Sequence, residues 1–150
     1  MILGKKTITK IERIFFNYDK IKRAVAETRA EQQKRKEGGG GGISDPTALA
    51  AINAISPITF VVIEDGNFDR KIYKPEIWLK IVTYTFGIFG ERMEAELARR
   101  RYLKAEKPDY TADCMRIGQR TYYDWRNDFI MQAALMAASE NLLDLDKTME

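Results

Sequence analysis

A group of polar side chains with forked or short donor tips lies close together near residue 120. The group consists of Gln119, Arg120, Thr121, Tyr123, Asp124 and Asn127. Arginine and asparagine pair through two hydrogen bonds with guanine and adenine edges, so Arg120 and Asn127 are best suited to contact bases. Tyr122, Trp125 and Phe129 recur among them three and four residues apart, which predicts a helix with these rings turned inward. The polar group then lies on the opposite face.

A shorter helix is predicted directly before this one, and the two form a helix-turn-helix over residues 109–129. Ala112 is small enough for two crossing helices to approach closely, while Met115 and Ile117 flank the turn. When this motif binds duplex DNA, its second helix enters the major groove and the helix before it crosses the phosphate backbone. From the pattern alone, an ordinary helical hairpin inside a core explains the same residues.

Three consecutive arginines, Arg99, Arg100 and Arg101, stand one short connection before that motif. We predict a helix over residues 91–103 that turns these arginines outward and buries its apolar side. The buried side consists of Met93, Leu97 and Tyr102. Outward arginines favour contact with DNA phosphates, together with Arg116, Thr121 and the backbone N–H groups at the start of the second helix. A solvated helix face is the alternative.

The composition excludes most classes of enzyme. The chain has 150 residues, no histidine and one cysteine. Without histidine, Ser-His-Asp and Cys-His catalysis are excluded, as are most zinc sites. Cys114 is expected to be a small buried residue, and a single cysteine excludes an internal disulfide. We expect no catalytic residue, no metal and no cofactor.

Charge is distributed unevenly along the chain. Residues 1–37 hold 11 lysines and arginines against 5 acidic residues. Apolar residues at three-and-four spacing predict one amphipathic helix over residues 8–36, which loses its apolar stripe towards the end. A run of glycines at 38–42 is typical of a flexible linker. No apolar run reaches the roughly 18 residues that suggest a membrane span, and the start lacks the apolar core of a secretory signal.

These patterns predict a mainly α fold. Residues 58–63 indicate a strand that returns after a turn at 65–67 as a small β-hairpin, although a buried helix remains the alternative. A helix then begins at Pro75, buries Ile77, Trp78, Ile81 and Val82, and is interrupted at Gly87 and Gly90. The predicted regions are a basic amphipathic helix (1–37), a glycine-rich linker (38–45), a helical and hairpin core (46–90, opening with a short helix to about residue 55), a helix-turn-helix region (91–138) and an acidic tail (139–150).

Three blocks of sequence occur in an order that resembles the ArpU/RinA-type phage transcription regulators. They are residues 38–48, 74–79 and 120–127. The C-terminal part of such proteins is similar to the helix-turn-helix of sigma-factor region 4. The resemblance implies that the recognition helix runs from Gly118 to about residue 132. The turn position that is often glycine in such proteins is Arg116 here, which departs from the pattern and bears on the turn geometry.

The resemblance and the polar group together predict a phage or prophage regulator of late genes that binds duplex DNA through the helix-turn-helix. We expect RNA polymerase and a second copy of the chain as further partners, no membrane, and a location at the nucleoid in the bacterial cytoplasm. A DNA-packaging recognition subunit of the small-terminase kind is the first alternative. A protein-interaction module without DNA binding is the second.

Overall fold

The computed structural model describes residues 3–38 and 56–143, which are mainly helical with one two-stranded antiparallel sheet. The predicted linker beyond Gly38, the predicted short helix that ends near residue 55 and most of the predicted acidic tail lie outside the described residues. The elements, in our numbering, are α1 (Lys5–Phe16), α2 (Tyr18–Gly38), β1 (Phe60–Asp65), β2 (Phe68–Tyr73), α3 (Pro75–Phe89), α4 (Met93–Ala98) with a π-helical turn (Arg99–Leu103), α5 (Pro108–Met115) and α6 (Gln119–Ser139).

The chain forms two compact units, Met1–Tyr18 with Lys80–Glu150 and Asp19–Leu79. The single helix predicted over residues 8–36 is two helices, because Asn17 ends α1. Its backbone N–H and its side-chain Nδ2 both donate to the carbonyl oxygen of Arg13, at 3.1 and 2.9 Å. The predicted apolar stripe is confirmed in α1, where Ile11, Ile14 and Phe15 are buried.

The β-hairpin predicted for residues 58–73 is confirmed, and its alternative, a buried helix, is wrong. The strands pair from Phe60 with Tyr73 to Asp65 with Phe68. Gly66 opens the two-residue turn with φ at +67°, a conformation that glycine adopts without the steric cost of a side chain. Side chains alternate along β1, so that Val61 and Ile63 are buried and their neighbours are exposed.

The helix predicted to begin at Pro75 is confirmed, and Trp78, Ile81 and Val82 are buried as predicted, whereas Ile77 is only half-buried. The predicted break at Gly87 is wrong, because α3 continues through it to Phe89. The predicted interruption at Gly90 is confirmed, because the helix ends there with φ at +58°. The predicted burial of Met93 is also wrong, since it is 45% exposed at the start of α4.

The core of the first unit is an aromatic cluster centred on Phe129 of α6. Its ring centroid lies 5.3 Å from that of Phe15, 5.0 Å from that of Phe86 and 5.2 Å from that of Phe89. Each phenylalanine buries a large apolar surface, and tilted or edge-to-face pairs at these distances add to that stabilisation. One face of α6 is therefore fixed by α1 and α3.

We expect Phe129→Ala to lower the free energy of unfolding by about 3–5 kcal/mol, because it leaves a cavity among rings that cannot collapse. Phe68→Ala is the matched control, since Phe68 is 72% exposed and Phe129 fully buried. Chemical denaturation measures both. Equal effects of the two substitutions would contradict the core described above.

Candidate functional site

The turn between α5 and α6 depends on Arg116, which adopts the left-handed conformation with φ at 57° and ψ at 45°. The N–H of Ile117 donates to the carbonyl of Ala112 at 3.0 Å and that of Arg116 to the carbonyl of Asp113 at 3.2 Å. These two bonds form a Schellman motif, whose left-handed position usually carries glycine. Arg116, in place of the usual glycine, therefore adopts the left-handed conformation itself, and the turn is not lengthened.

The free face of α6 carries an aligned row of polar side chains. Gln119, Arg120, Asp124 and Asn127 are exposed, whereas Thr121 is half-buried. Positions 120, 124 and 127 follow helical spacing, so these three side chains lie on one face. The predicted inward placement of Tyr122 and Phe129 is confirmed, since both are buried.

Three predicted placements near this face differ in the structure. Tyr123, predicted on the polar face, is half-buried and packs edge-on against Tyr122 with ring centroids 5.0 Å apart. Trp125, predicted to be fully inward, is only half-buried against the small cluster that Tyr122 forms with Leu97 and Ala112. The predicted burial of Cys114 is wrong, because its side chain is exposed on α5.

A polar network joins α1 to this part of α6. Tyr102 donates its hydroxyl to Glu12 Oε2 at 2.9 Å, and Arg126 lies 3.6 Å from Glu12 Oε1. The Arg126 guanidinium also covers the ring of Tyr123 at 5.0 Å, and its Nε donates to Asn127 Oδ1 at 3.0 Å. Burial, with the negative charge of Glu12 beside it, raises the pKa of Tyr102 well above its usual value. The network positions Asn127 at the end of the polar row.

The three consecutive arginines do not point freely outward, which both the predicted phosphate contact and its alternative, a solvated helix face, assumed. They lie in the π-helical turn, and all three are half-buried. Arg100 pairs with Glu96 at 3.0 Å and with Glu106 at 3.5 Å, and Arg99 lies 3.5 Å from Glu96. Arg101 donates to the carbonyl of Glu106 at 2.8 Å, and its guanidinium covers the ring of Phe16 at 4.8 Å. Their role as phosphate contacts stays a prediction. To contact phosphates, the arginines would have to release Glu96, Glu106 and the ring of Phe16.

Two lysines that were not predicted from the sequence are more accessible to an anion than these three arginines. Lys104 and Lys107 are exposed, and neither makes an ion pair within the described part of the chain. Lys107 is the N-cap of α5, directly before Pro108 at the first helical position. Proline at the first helical position marks such a helix start, and that signal was present in the sequence. Arg116 and Arg120 are exposed close by along the chain.

Comparison with known proteins finds no matching family, curated protein or solved structure. Among residues 3–38 and 56–143, no three cysteine or acidic side chains are grouped so as to hold a metal ion. Within the same residues, no helix combines the length and apolar character that crossing a membrane requires.

We expect Arg116→Gly to raise the free energy of unfolding by up to about 1 kcal/mol, because glycine adopts the left-handed conformation without strain. Arg116→Ala removes the same charge but keeps a Cβ, and we expect no such gain. Thermal denaturation compares the two variants. A lower stability for Arg116→Gly than for Arg116→Ala would contradict the turn geometry.

We expect stability to fall at alkaline pH partly because of Tyr102. The tyrosine pKa is about 10 in an unfolded chain and higher in this fold, so the contribution is complete below about pH 10 and is lost as pH rises further. Tyr102→Phe should flatten the decline in unfolding free energy above about pH 10. Tyr84→Phe, at an exposed tyrosine, should keep the decline of the native chain. Equal slopes for both variants would show that Tyr102 is not the titrating group.

Proposed function

We propose that this chain binds duplex DNA by placing the exposed face of α6 in the major groove. The observation that carries the proposal is the row formed by Gln119, Arg120, Asp124 and Asn127, exposed on a helix whose other face is fixed by the aromatic cluster. A rigid helix with an unobstructed polar face suits major-groove contact, because the groove accommodates one α-helix.

Arg120 and Asn127 are the base-contacting residues in this proposal. Arg120 is exposed in the first turn of α6, where recognition helices make most of their base contacts. Its guanidinium matches the O6 and N7 acceptors of guanine. Arg126 Nε donates to one lone pair of Asn127 Oδ1, which leaves the second lone pair and the Nδ2 donors to match the N6 and N7 edge of adenine.

Phosphate contacts come from the start of α6 and from nearby cations. No side chain caps the first turn of this 21-residue helix, so its backbone N–H groups are available to a phosphate oxygen. Lys104, Lys107 and Arg116 supply positive charge near the beginning and end of α5. Such contacts set the position of the protein and make its affinity depend on salt.

We further propose that the biological role is regulation of phage or prophage transcription, since the sequence blocks resemble the ArpU/RinA-type regulators. RNA polymerase is the second partner in this proposal, and the bacterial nucleoid is the location. The mixed charge of the polar row, with Asp124 between two donors, suits a selective contact more than general attraction to DNA.

We expect Arg120→Ala and Asn127→Ala each to weaken binding to a preferred duplex by about 1–3 kcal/mol, with little change for unrelated duplexes. Lys80→Ala is the matched control, because Lys80 is an exposed cation on α3, outside the proposed interface. Fluorescence anisotropy at low salt measures all four affinities, including that of the native chain. If both substitutions leave the affinity unchanged, the helix-turn-helix is a protein-interaction module instead.

A further inference from the structure

The β-hairpin of the second unit has one strand edge that no described residue covers. The N–H of Lys74 donates to the carbonyl of Thr59 at 2.9 Å, so residues 59 and 74 face each other as a hydrogen-bonded pair. Hydrogen-bonded and non-hydrogen-bonded pairs alternate in an antiparallel ladder. The pair of Glu64 with Asp69 and the pair of Phe60 with Tyr73 are therefore non-hydrogen-bonded, with backbone groups pointing away from the hairpin.

The two edges of the hairpin differ in what lies against them. On the β1 side, Lys20 of α2 donates its Nζ to the outward carbonyl of Glu64 at 2.7 Å. On the β2 side, the outward backbone groups belong to Asp69, Lys71 and Tyr73, and no hydrogen bond joins them to the described residues. All three side chains are exposed as well. An uncovered edge of this kind pairs readily with another strand.

An apolar groove lies at the open end of the same hairpin. Its cavity is about 320 Å³, and Tyr73 belongs to both the groove and the free edge. Pro57 and Ile77 contribute apolar surface, and Lys74 lines its margin. Glu76, the acidic residue of the groove, is paired with Arg29 at 2.6 Å. Lys71 and Lys74 make no ion pair within the described chain, and the Lys71 ammonium lies 4.8 Å from the centroid of the Phe60 ring. Because Asp69 is exposed on the same strand, this edge carries charges of both signs.

We propose that the free edge of β2 binds an extended peptide from a partner protein as an added antiparallel strand. Recognition by strand addition combines main-chain hydrogen bonds with pockets for alternate side chains. An apolar side chain opposite Tyr73 enters the groove, an acidic side chain lies opposite Lys71, and a basic side chain lies opposite Asp69. Directly opposed side chains share one face of the sheet, so every second residue of the peptide is selected. From its N-terminus, the peptide should have an apolar residue, any residue, an acidic residue, any residue and a basic residue.

The test uses the full chain and the capped peptide acetyl-Leu-Thr-Glu-Thr-Lys-Thr-amide. Its matched control exchanges the two charges, as acetyl-Leu-Thr-Lys-Thr-Glu-Thr-amide. We expect the first peptide to bind about tenfold more tightly by calorimetry at low salt. Its addition should slow hydrogen exchange at the amides of Asp69, Lys71 and Tyr73. Equal affinity for both peptides, or no binding at millimolar concentration, would overturn the proposal.

Two variants separate the edge from the rest of the hairpin. Lys71→Pro removes an outward N–H without removing a bond of the ladder, so the hairpin should remain while the affinity falls about 5- to 10-fold. Lys71→Glu should reverse the preference between the two peptides. Arg120→Ala should leave peptide binding unchanged, which keeps this result independent of the DNA proposal.

Other occupants of the edge give different results. Protection of the same amides without peptide, with a doubled mass in sedimentation, would identify a second copy of the chain as the occupant. A third result would be that the chain binds a single-stranded oligonucleotide but not the peptide, and that Tyr73→Leu abolishes this binding. It would identify a nucleobase as the occupant. Either result would overturn the proposal of a partner peptide.

Discussion

The burial of Phe129 among Phe15, Phe86 and Phe89 determines how α6 is oriented about its own axis. These rings come from α1 and α3, so the rotation of α6 is fixed by elements distant from it in sequence. Once Phe129 points into the cluster, positions 120, 124 and 127 must lie on the exposed side. The Glu12 carboxylate supports the same orientation, since it accepts from Tyr102 and lies near Arg126. The exposed polar row is thus a consequence of packing, and it needs no stabilising partner of its own.

The arginines of the π-helical turn illustrate how a basic run can serve the fold. A solvated run of three cations so close in sequence would repel itself, but Glu96 and Glu106 neutralise Arg99 and Arg100, and the ring of Phe16 covers Arg101. Between residues 104 and 127 the exposed cations are Lys104, Lys107, Arg116 and Arg120, which occur before, within and after the turn of the proposed DNA-binding motif. In the proposed DNA complex these isolated residues supply positive charge without releasing a partner, whereas the arginines of the run would first have to release theirs.

Periodicity in the sequence predicted the elements that depend on local spacing. Apolar stripes identified α1, α3 and α6, and turn residues identified the hairpin. Side-chain contacts were not predictable from apolar spacing, even between residues close in the sequence, which explains the errors. Asn17 breaks a helix through a hydrogen bond to Arg13, Tyr123 is drawn towards Tyr122 and Arg126, and the arginines find Glu106 after a π-helical turn. Arg116 is a position where the sequence did indicate the backbone. It stands where the proteins that the sequence resembles often have glycine, and it adopts the left-handed conformation that favours glycine.

The proposed DNA contact requires that the exposed face of α6 distinguish one duplex sequence from another. Selection of bound duplexes from a random pool, at physiological salt, tests that claim most directly, because general electrostatic attraction is weakened there while base contacts persist. We expect enrichment of a short motif that contains a guanine opposite Arg120 and that is lost when the selection is repeated with Arg120→Ala. A pool that stays random with the native chain would contradict it.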